Sequence, residues 1–287
     1  MIRIRTKYTG RHLRTESLRF DIANYIVCII YALVILIPLY YVLISSFKEN
    51  ATIFSSALGL PTHFNISKYI AALQRGNLIR AMGISLIIAV GAELLTILIA
   101  FPAAYAIARI RTRLAAFAEI FFSTGFLIPM IATLVPIFVI FAKIGLLNNP
   151  LALVIFYPAT ALPISIIILA SFMRKLPHEF EECAELDGAN QLQIIYHIFF
   201  PISKPAVITV LVLNFLQFWN EFLFSLILLG GKNRTIQVVL TTLKSERVLD
   251  YGLLAAGIVI SVIPVYIMFI FFQEQIISGL TAGSLKE

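Results

Sequence analysis

The sequence predicts an all-α, polytopic membrane protein with six transmembrane helices, and two observations carry that prediction. Apolar residues make up 60% of the 287 and charged ones only 13%, with mean hydropathy +0.94; a soluble domain is about half apolar and a quarter charged. The excess is gathered into long runs, each near the roughly 20 residues a helix needs to cross the hydrocarbon layer. Within lipid the backbone must satisfy its own hydrogen bonds, so helices are the sensible form. The short alternating segments of a membrane β-barrel are absent.

The chain opens with a polar, basic tail over 1–21 (Arg3, Arg5, Lys7, Arg11, Arg14, Arg19). Basic residues beside a first span anchor to anionic lipid and set orientation, which accounts for much of the net charge of +7 without nucleic acid. The next run is too long for the core of a cleavable signal peptide. The expected spans are Ile22–Ile44, Ala81–Ala108, Phe117–Ala142, Leu151–Met173, Ala206–Leu229 and Leu253–Ile276. Arg109, Arg111 and Arg113 follow the second, Arg174, Lys175 and Lys204 follow the fourth, and Lys286 lies in the tail 277–287. The positive-inside rule places these, and both termini, in the cytoplasm. Ser45–Arg80 and Gly230–Gly252 are then outside and long enough for structure, the second with an apolar piece over Ile236–Leu243. Pro102, Pro129, Pro136, Pro158, Pro163 and Pro264 fall within spans and suggest kinks. No linker or repeat divides the chain, so 22–276 reads as one membrane domain.

One cytoplasmic segment breaks the apolar pattern. Between Leu176 and Phe200 there is no Lys or Arg, while Glu179, Glu181, Glu182, Glu185 and Asp187 crowd one short stretch. Pro177 suits the first turn of a helix, acidic residues suit its positive end, and Gly188 suits a left-handed stop. The expectation is a short helix over Pro177–Asp187, then a second over Asn190–Phe200, together an elbow spanning 177–201. Phe180, Ala184, Leu186, Ile194, Ile195 and Ile198 would pack it on the bundle, with the carboxylates outward. On charge alone it reads equally as a solvated loop.

The full spacing is Glu182, Ala184, Gly188, Ile198, Phe200, Pro201. It resembles the cytoplasmic signature Glu-Ala-Ala-x₃-Gly-x₉-Ile-x-Leu-Pro of the membrane subunits of binding-protein-dependent ABC importers, with Cys183 in place of Ala and Phe200 in place of Leu. Ser46-Phe47-Lys48, the run Ala103 to Arg109, Gly145 to Asn149, Trp219-Asn220-Glu221-Phe222 and Gly279 to Gly283 extend the likeness to the carbohydrate branch, nearest its six-span maltose-type permease subunits. The resemblance implies the transmembrane fold of a type I ABC importer in a prokaryotic cell membrane. It implies a second permease subunit, two separate ATPase subunits that hold ATP and Mg, and an external solute-binding protein. It makes the elbow a coupling helix seated in the ATPase, with Glu182, Cys183, Ala184, Glu185, Asp187 and Gly188 as the coupling residues. It also suggests that Gly230–Gly252 meets the binding protein.

Polar groups inside spans usually face the bundle interior. Glu93 stands out in the second span, and Asn214, Gln217 and Glu221 share one face of the fifth at i, i+3 and i+7. They read either as translocation-path groups that meet solute hydroxyls or as interhelical hydrogen bonds. Trp219 reads as an interface anchor or a sugar-stacking ring. Cys28 and Cys183 suggest no disulfide, and His12, His63, His178 and His197 show no metal spacing. No cofactor is expected in this chain. No phosphate-binding Gly-x₄-Gly-Lys-[Ser/Thr] run occurs, so ATP hydrolysis belongs elsewhere. A secondary transporter is the alternative, but it leaves the elbow without a role. A membrane-embedded enzyme lacks nucleophile, base or metal groupings.

Overall fold

The computed structural model describes residues 12–61, 63–243 and 250–284. The basic positions up to Arg11, with Lys244, Arg247 and Lys286, lie outside the described residues. Every regular element among the described residues is helical. In chain order they are α1 (His12–Ser45), α2 (Asn50–Ser55), α3 (Ser67–Arg75), α4 (Leu78–Arg109), α5 (Arg113–Gly125), α6 (Leu134–Lys143) and α7 (Leu151–Met173). Then come α8 (Glu179–Leu186), α9 (Gln191–Gln193), α10 (Phe200–Ile202), α11 (Lys204–Asn220), α12 (Leu223–Leu228), α13 (Ile236–Thr242) and α14 (Tyr251–Ser284).

Among the described residues, four helices are long and apolar enough to cross a membrane: Asn24–Ser45, Leu78–Arg109, Leu151–Met173 and Tyr251–Gln275. Counting each of two sharply bent pairs as one span brings the number to six. The fourth expected span, Leu151–Met173, coincides with α7, while α1, α4 and α14 all run past the expected ends.

The other two spans are broken. The run expected as one helix over Phe117–Ala142 is α5 followed by the 3₁₀ turn Met130–Thr133 and α6, bent by 94°. Pro129 explains the break: it has no N–H to donate, and it restricts the residue before it. Gly125 ends α5 where a Cβ would press on the Pro163 ring of α7 at 3.2 Å. The run expected over Ala206–Leu229 stops at Asn220, because Glu221 is extended (φ −68°, ψ 126°), and resumes as α12. Pro205 opens α11, which meets the preceding Gln191–Ile202 stretch at 77°. Pro102, Pro158, Pro163 and Pro264 sit inside continuous helices, as does Pro38.

The centre of the bundle is α4 along α7, with α11 across both. Small residues make that approach possible: Ala89, Ala92, Ala100 and Ala104 on α4 and Ala152, Ala161 and Ala170 on α7 are buried. At Gly91 a Cβ would already crowd Val154 at 3.2 Å. By contrast, α1 exposes a nearly unbroken apolar surface from Tyr25 to Tyr41, as a lipid- or partner-facing helix must. The segments before α4 and before α14 form a small cap of α2, α3 and α13. Lys68 Nζ bridges to Asp250 Oδ1 at 2.9 Å, the Tyr251 N–H donates to Asn50 Oδ1 at 2.9 Å, and the Ile236 N–H donates to Ser85 Oγ at 2.9 Å. Buried Lys48 donates to the Ser56 carbonyl at 2.9 Å.

Candidate functional site: the acidic elbow

The helix α8 is eight residues long, shorter than the Pro177–Asp187 expectation because Pro177 stays outside it and His178 occupies the N-cap position. Glu179, Glu181 and Glu182 fill its first turn, where carboxylates complement the positive end. Its end is a Schellman motif: the Gly188 N–H donates to the Glu185 carbonyl at 3.0 Å and the Ala189 N–H to the Ala184 carbonyl at 2.9 Å. Gly188 has φ +79°, the left-handed region that glycine enters without strain. Its Cβ position is open space, so only backbone conformation selects glycine there.

The return limb begins with a capping box. The Gln193 N–H donates to Asn190 Oδ1 at 3.0 Å, and the Asn190 N–H donates to Gln193 Oε1 at 2.8 Å. From Gln191 to Ile202 the chain is continuous, but Ile194–Phe199 is wound as a π-helix between α9 and α10. Such widened turns concentrate at functional sites. Ile194, Ile195 and Phe199 are buried in the core formed with α4, α7 and α11.

Two expectations about the elbow are corrected. Leu186 is 88% exposed and Phe180 is also exposed, so neither packs on the bundle; Ala184 is the buried residue of α8. The short helix projects away, and only its inner face reaches the core. Glu181 does not point outward. Its side chain is 13% exposed and lies 3.7 Å from Arg109 Nε, with His178 Nδ1 3.1 Å from its other oxygen. Glu179, Glu182, Cys183, Glu185, Asp187 and Gly188 do face outward. The projecting surface therefore combines four carboxylates with Phe180 and Leu186, a mixture suited to a docking contact: charge for orientation, apolar side chains for affinity.

Arg109, the last residue of α4, is the residue that sequence reasoning missed here. It counted as one more cytoplasmic positive charge. Nothing in one sequence links it to a segment about 70 positions later.

The intramembrane polar residues divide among three environments. Asn214 is buried and donates to Ser165 Oγ at 3.0 Å and to Glu93 Oε1 at 3.4 Å, tying α11 to α7 and α4. Glu221 caps α12: its carboxylate accepts the N–H groups of Phe224 at 2.7 Å and Ser225 at 3.0 Å, and the Tyr157 hydroxyl at 2.8 Å. Gln217 instead lies exposed in the wall of a 690 Å³ cavity at the α5–α6 bend, donating to Thr160 Oγ1 at 3.1 Å. Phe121, Phe126, Met130 and Phe156 also line it. Trp219 is neither interface anchor nor sugar platform. It is 2% exposed, stacks on Phe215 and donates from Nε1 to the Ser261 carbonyl at 3.1 Å.

Beside the cap of α2, α3 and α13, the Asp250 carboxylate is partly desolvated. Hydrogen bonds from the Leu253 N–H and Lys68 outweigh that burial and hold its pKa below the ordinary 3.8.

A lipid-compatible helical bundle, with a charged elbow held at one end and Gln217 in the wall of a half-open cavity, fits a multi-pass membrane component of a transport system. Residues 96–281 match the family described as binding-protein-dependent transport system inner membrane component, and the chain belongs to that family. It is 31% identical over 280 residues to the diacetylchitobiose uptake system permease protein NgcG of Streptomyces coelicolor, covering 96% of this chain and 93% of that one. It is 33% identical over 262 residues to the trehalose/maltose transport system permease protein MalG of Thermococcus litoralis, covering 90% and 94%. Among solved structures, a bacterial ABC transporter involved in import of the acidic polysaccharide alginate shares the fold with TM-score 0.79 at 24% identity, over 94% of this chain and 99% of that one.

Proposed function

We propose that this chain is one permease subunit of an ATP-driven importer of a sugar or sugar-like solute, working by alternating access. The observation that carries the reading is the elbow itself. A short helix projects from the bundle with four carboxylates and two apolar side chains outward, while its return limb is buried in the core of α4, α7 and α11. A rigid handle rooted in this way transmits movement of a docked partner into the spans. The named relatives transport diacetylchitobiose and trehalose/maltose, and they support the solute class.

In this reading the elbow seats in a separate ATPase subunit, which holds ATP and Mg and supplies the energy. Two such subunits, a second permease subunit and an external solute-binding protein complete the assembly. The domain is 22–276, with tails 1–21 and 277–287 on the cytoplasmic side of the cell membrane. Glu182, Cys183, Ala184, Glu185, Asp187 and Gly188 form the coupling segment, with Ala184 as its root. Among the polar span residues, Gln217 is best placed to border the solute path, because it alone of the four lines the large cavity. Glu93, Asn214 and Glu221 act there indirectly by holding the helices. The outer cap, including 230–252, faces the binding protein.

The test is reconstitution with the ATPase subunits, partner permease and solute-binding protein. Glu182→Lys should abolish the rise in ATP hydrolysis caused by binding protein plus solute. Normal stimulation and uptake in that variant would remove the coupling assignment.

A further inference from the structure

We propose that Arg109 is the positioning residue that makes α4 and both limbs of the elbow move as one body; this rests on the coupling reading above. The geometry centres on one guanidinium. The Arg109 side chain is 3% exposed. Its Nη2 donates to the Leu176 carbonyl at 2.7 Å and the Pro177 carbonyl at 3.4 Å, fixing the approach to α8. Its Nη1 lies 3.4 Å from the His178 ring nitrogens, and its Nε lies 3.7 Å from Glu181 Oε1 inside α8. The guanidinium also sits 5.0 Å from the centre of the Phe199 ring, on the return limb. Tyr105, one turn back on α4, packs edge-on against the same ring at 4.9 Å.

Apart from Arg109, α4 reaches the elbow with a polar group through Tyr105, whose hydroxyl lies 3.5 Å from Gln191 Oε1 and interacts with the Glu181 carboxylate. Ala184 is the buried residue of α8, and one methyl group gives little grip. Arg109 Nε and Glu181 Oε1 are both buried and neither has a hydrogen-bond partner; they face each other at 3.7 Å as an ion pair. Arginine supplies what this site needs: a planar, permanently charged fork that reaches two carbonyls, a carboxylate and a ring face together. Lysine keeps the charge and offers a single ammonium. Since α4 is the helix that runs along α7 through the bundle centre, a displacement applied at α8 would reach the spans through this residue as well as through the buried return limb.

Two measurements test this. The first uses the reconstituted complex with Arg109→Lys, and with Glu182→Lys as the control for the coupling reading. Arg109→Lys should still co-purify with the ATPase subunits, while solute imported per ATP hydrolysed falls at least about fivefold, the low end of coupling between sites. Normal import per ATP in Arg109→Lys beside a failing Glu182→Lys overturns the role of Arg109 and leaves the coupling reading intact. Normal import in both overturns the reading and this proposal with it.

The second measurement needs no Arg109 variant. Spin labels are placed at Leu94 and Glu185 in a background carrying Cys28→Ser and Cys183→Ala. Leu94 lies about 22 Å up α4 from Arg109 at 1.5 Å per residue. Pulsed electron–electron distances are then compared between the nucleotide-free and ATP-trapped complexes. One rigid body predicts a single distance unchanged within about 2 Å. A larger change, in a labelled complex whose ATP hydrolysis still responds to binding protein and solute, overturns the proposal.

Discussion

Replacing Gly188 isolates backbone conformation from sterics, because a Cβ there would meet nothing within 4 Å. At φ +79° an L-residue incurs about 1–2 kcal/mol, and a β-branched one is more restricted still. Against that cost stands a helix of eight residues with one buried side chain, so local opening requires little free energy. An added 1–2 kcal/mol lowers the ratio of closed to open forms of such a segment by roughly 5- to 30-fold. Gly188→Val should therefore lose most stimulation of ATP hydrolysis by binding protein and solute in proteoliposomes. Amide exchange at Gly188 and Ala189, whose N–H groups close the Schellman motif, should accelerate in parallel. Gly188→Asn, which tolerates the left-handed region, should retain most of both. Equal activity in the Val and Asn variants, high or low, would refute the conformational reasoning.

Other expectations follow from the same contacts. Glu221→Ala removes a cap that accepts two N–H groups and two hydroxyls; it should cost about 1–2 kcal/mol, read as a lower melting temperature of the purified complex. Trp219→Phe keeps the stack on Phe215 but loses the bond to Ser261, so its thermal shift should correspond to about 1 kcal/mol. The Asp250 carboxylate has a lowered pKa, so its contribution is full above 3.8 and is lost as pH falls through the lower folded value. Because that side chain is 35% exposed, the term is below about 1 kcal/mol; Asp250→Asn should remove it and flatten the acid limb of a stability profile.

Composition and run length made the helical class legible, since a lipid-facing surface demands continuous apolar residues. The elbow was legible for a different reason. Carboxylates, Pro177 and Gly188 act locally, and the Schellman stop at Gly188 is the conformation that residue exists to adopt. What stayed hidden depends on contacts distant in sequence. Leu186 reads as a core residue by composition, yet α8 is too short and too far out to bury it. Glu181 reads as one more surface acid until Arg109 is brought beside it. Glu221 reads equally as a path group or an interhelical tie, because the helix break that it caps carries no recognised signal in the sequence. The bend at Pro129 carried a local signal that span length alone masks.

The central claim is that the projecting face of α8 is gripped by an ATPase subunit. Photo-crosslinking from position 186, where Leu186 is 88% exposed, tests it most directly in membranes containing the whole complex. The account predicts an adduct with the ATPase subunit from position 186 and none from exposed Arg75, on the cap of α2, α3 and α13. An ATPase adduct from position 75, or its absence from position 186 in a complex that still imports solute, would contradict it.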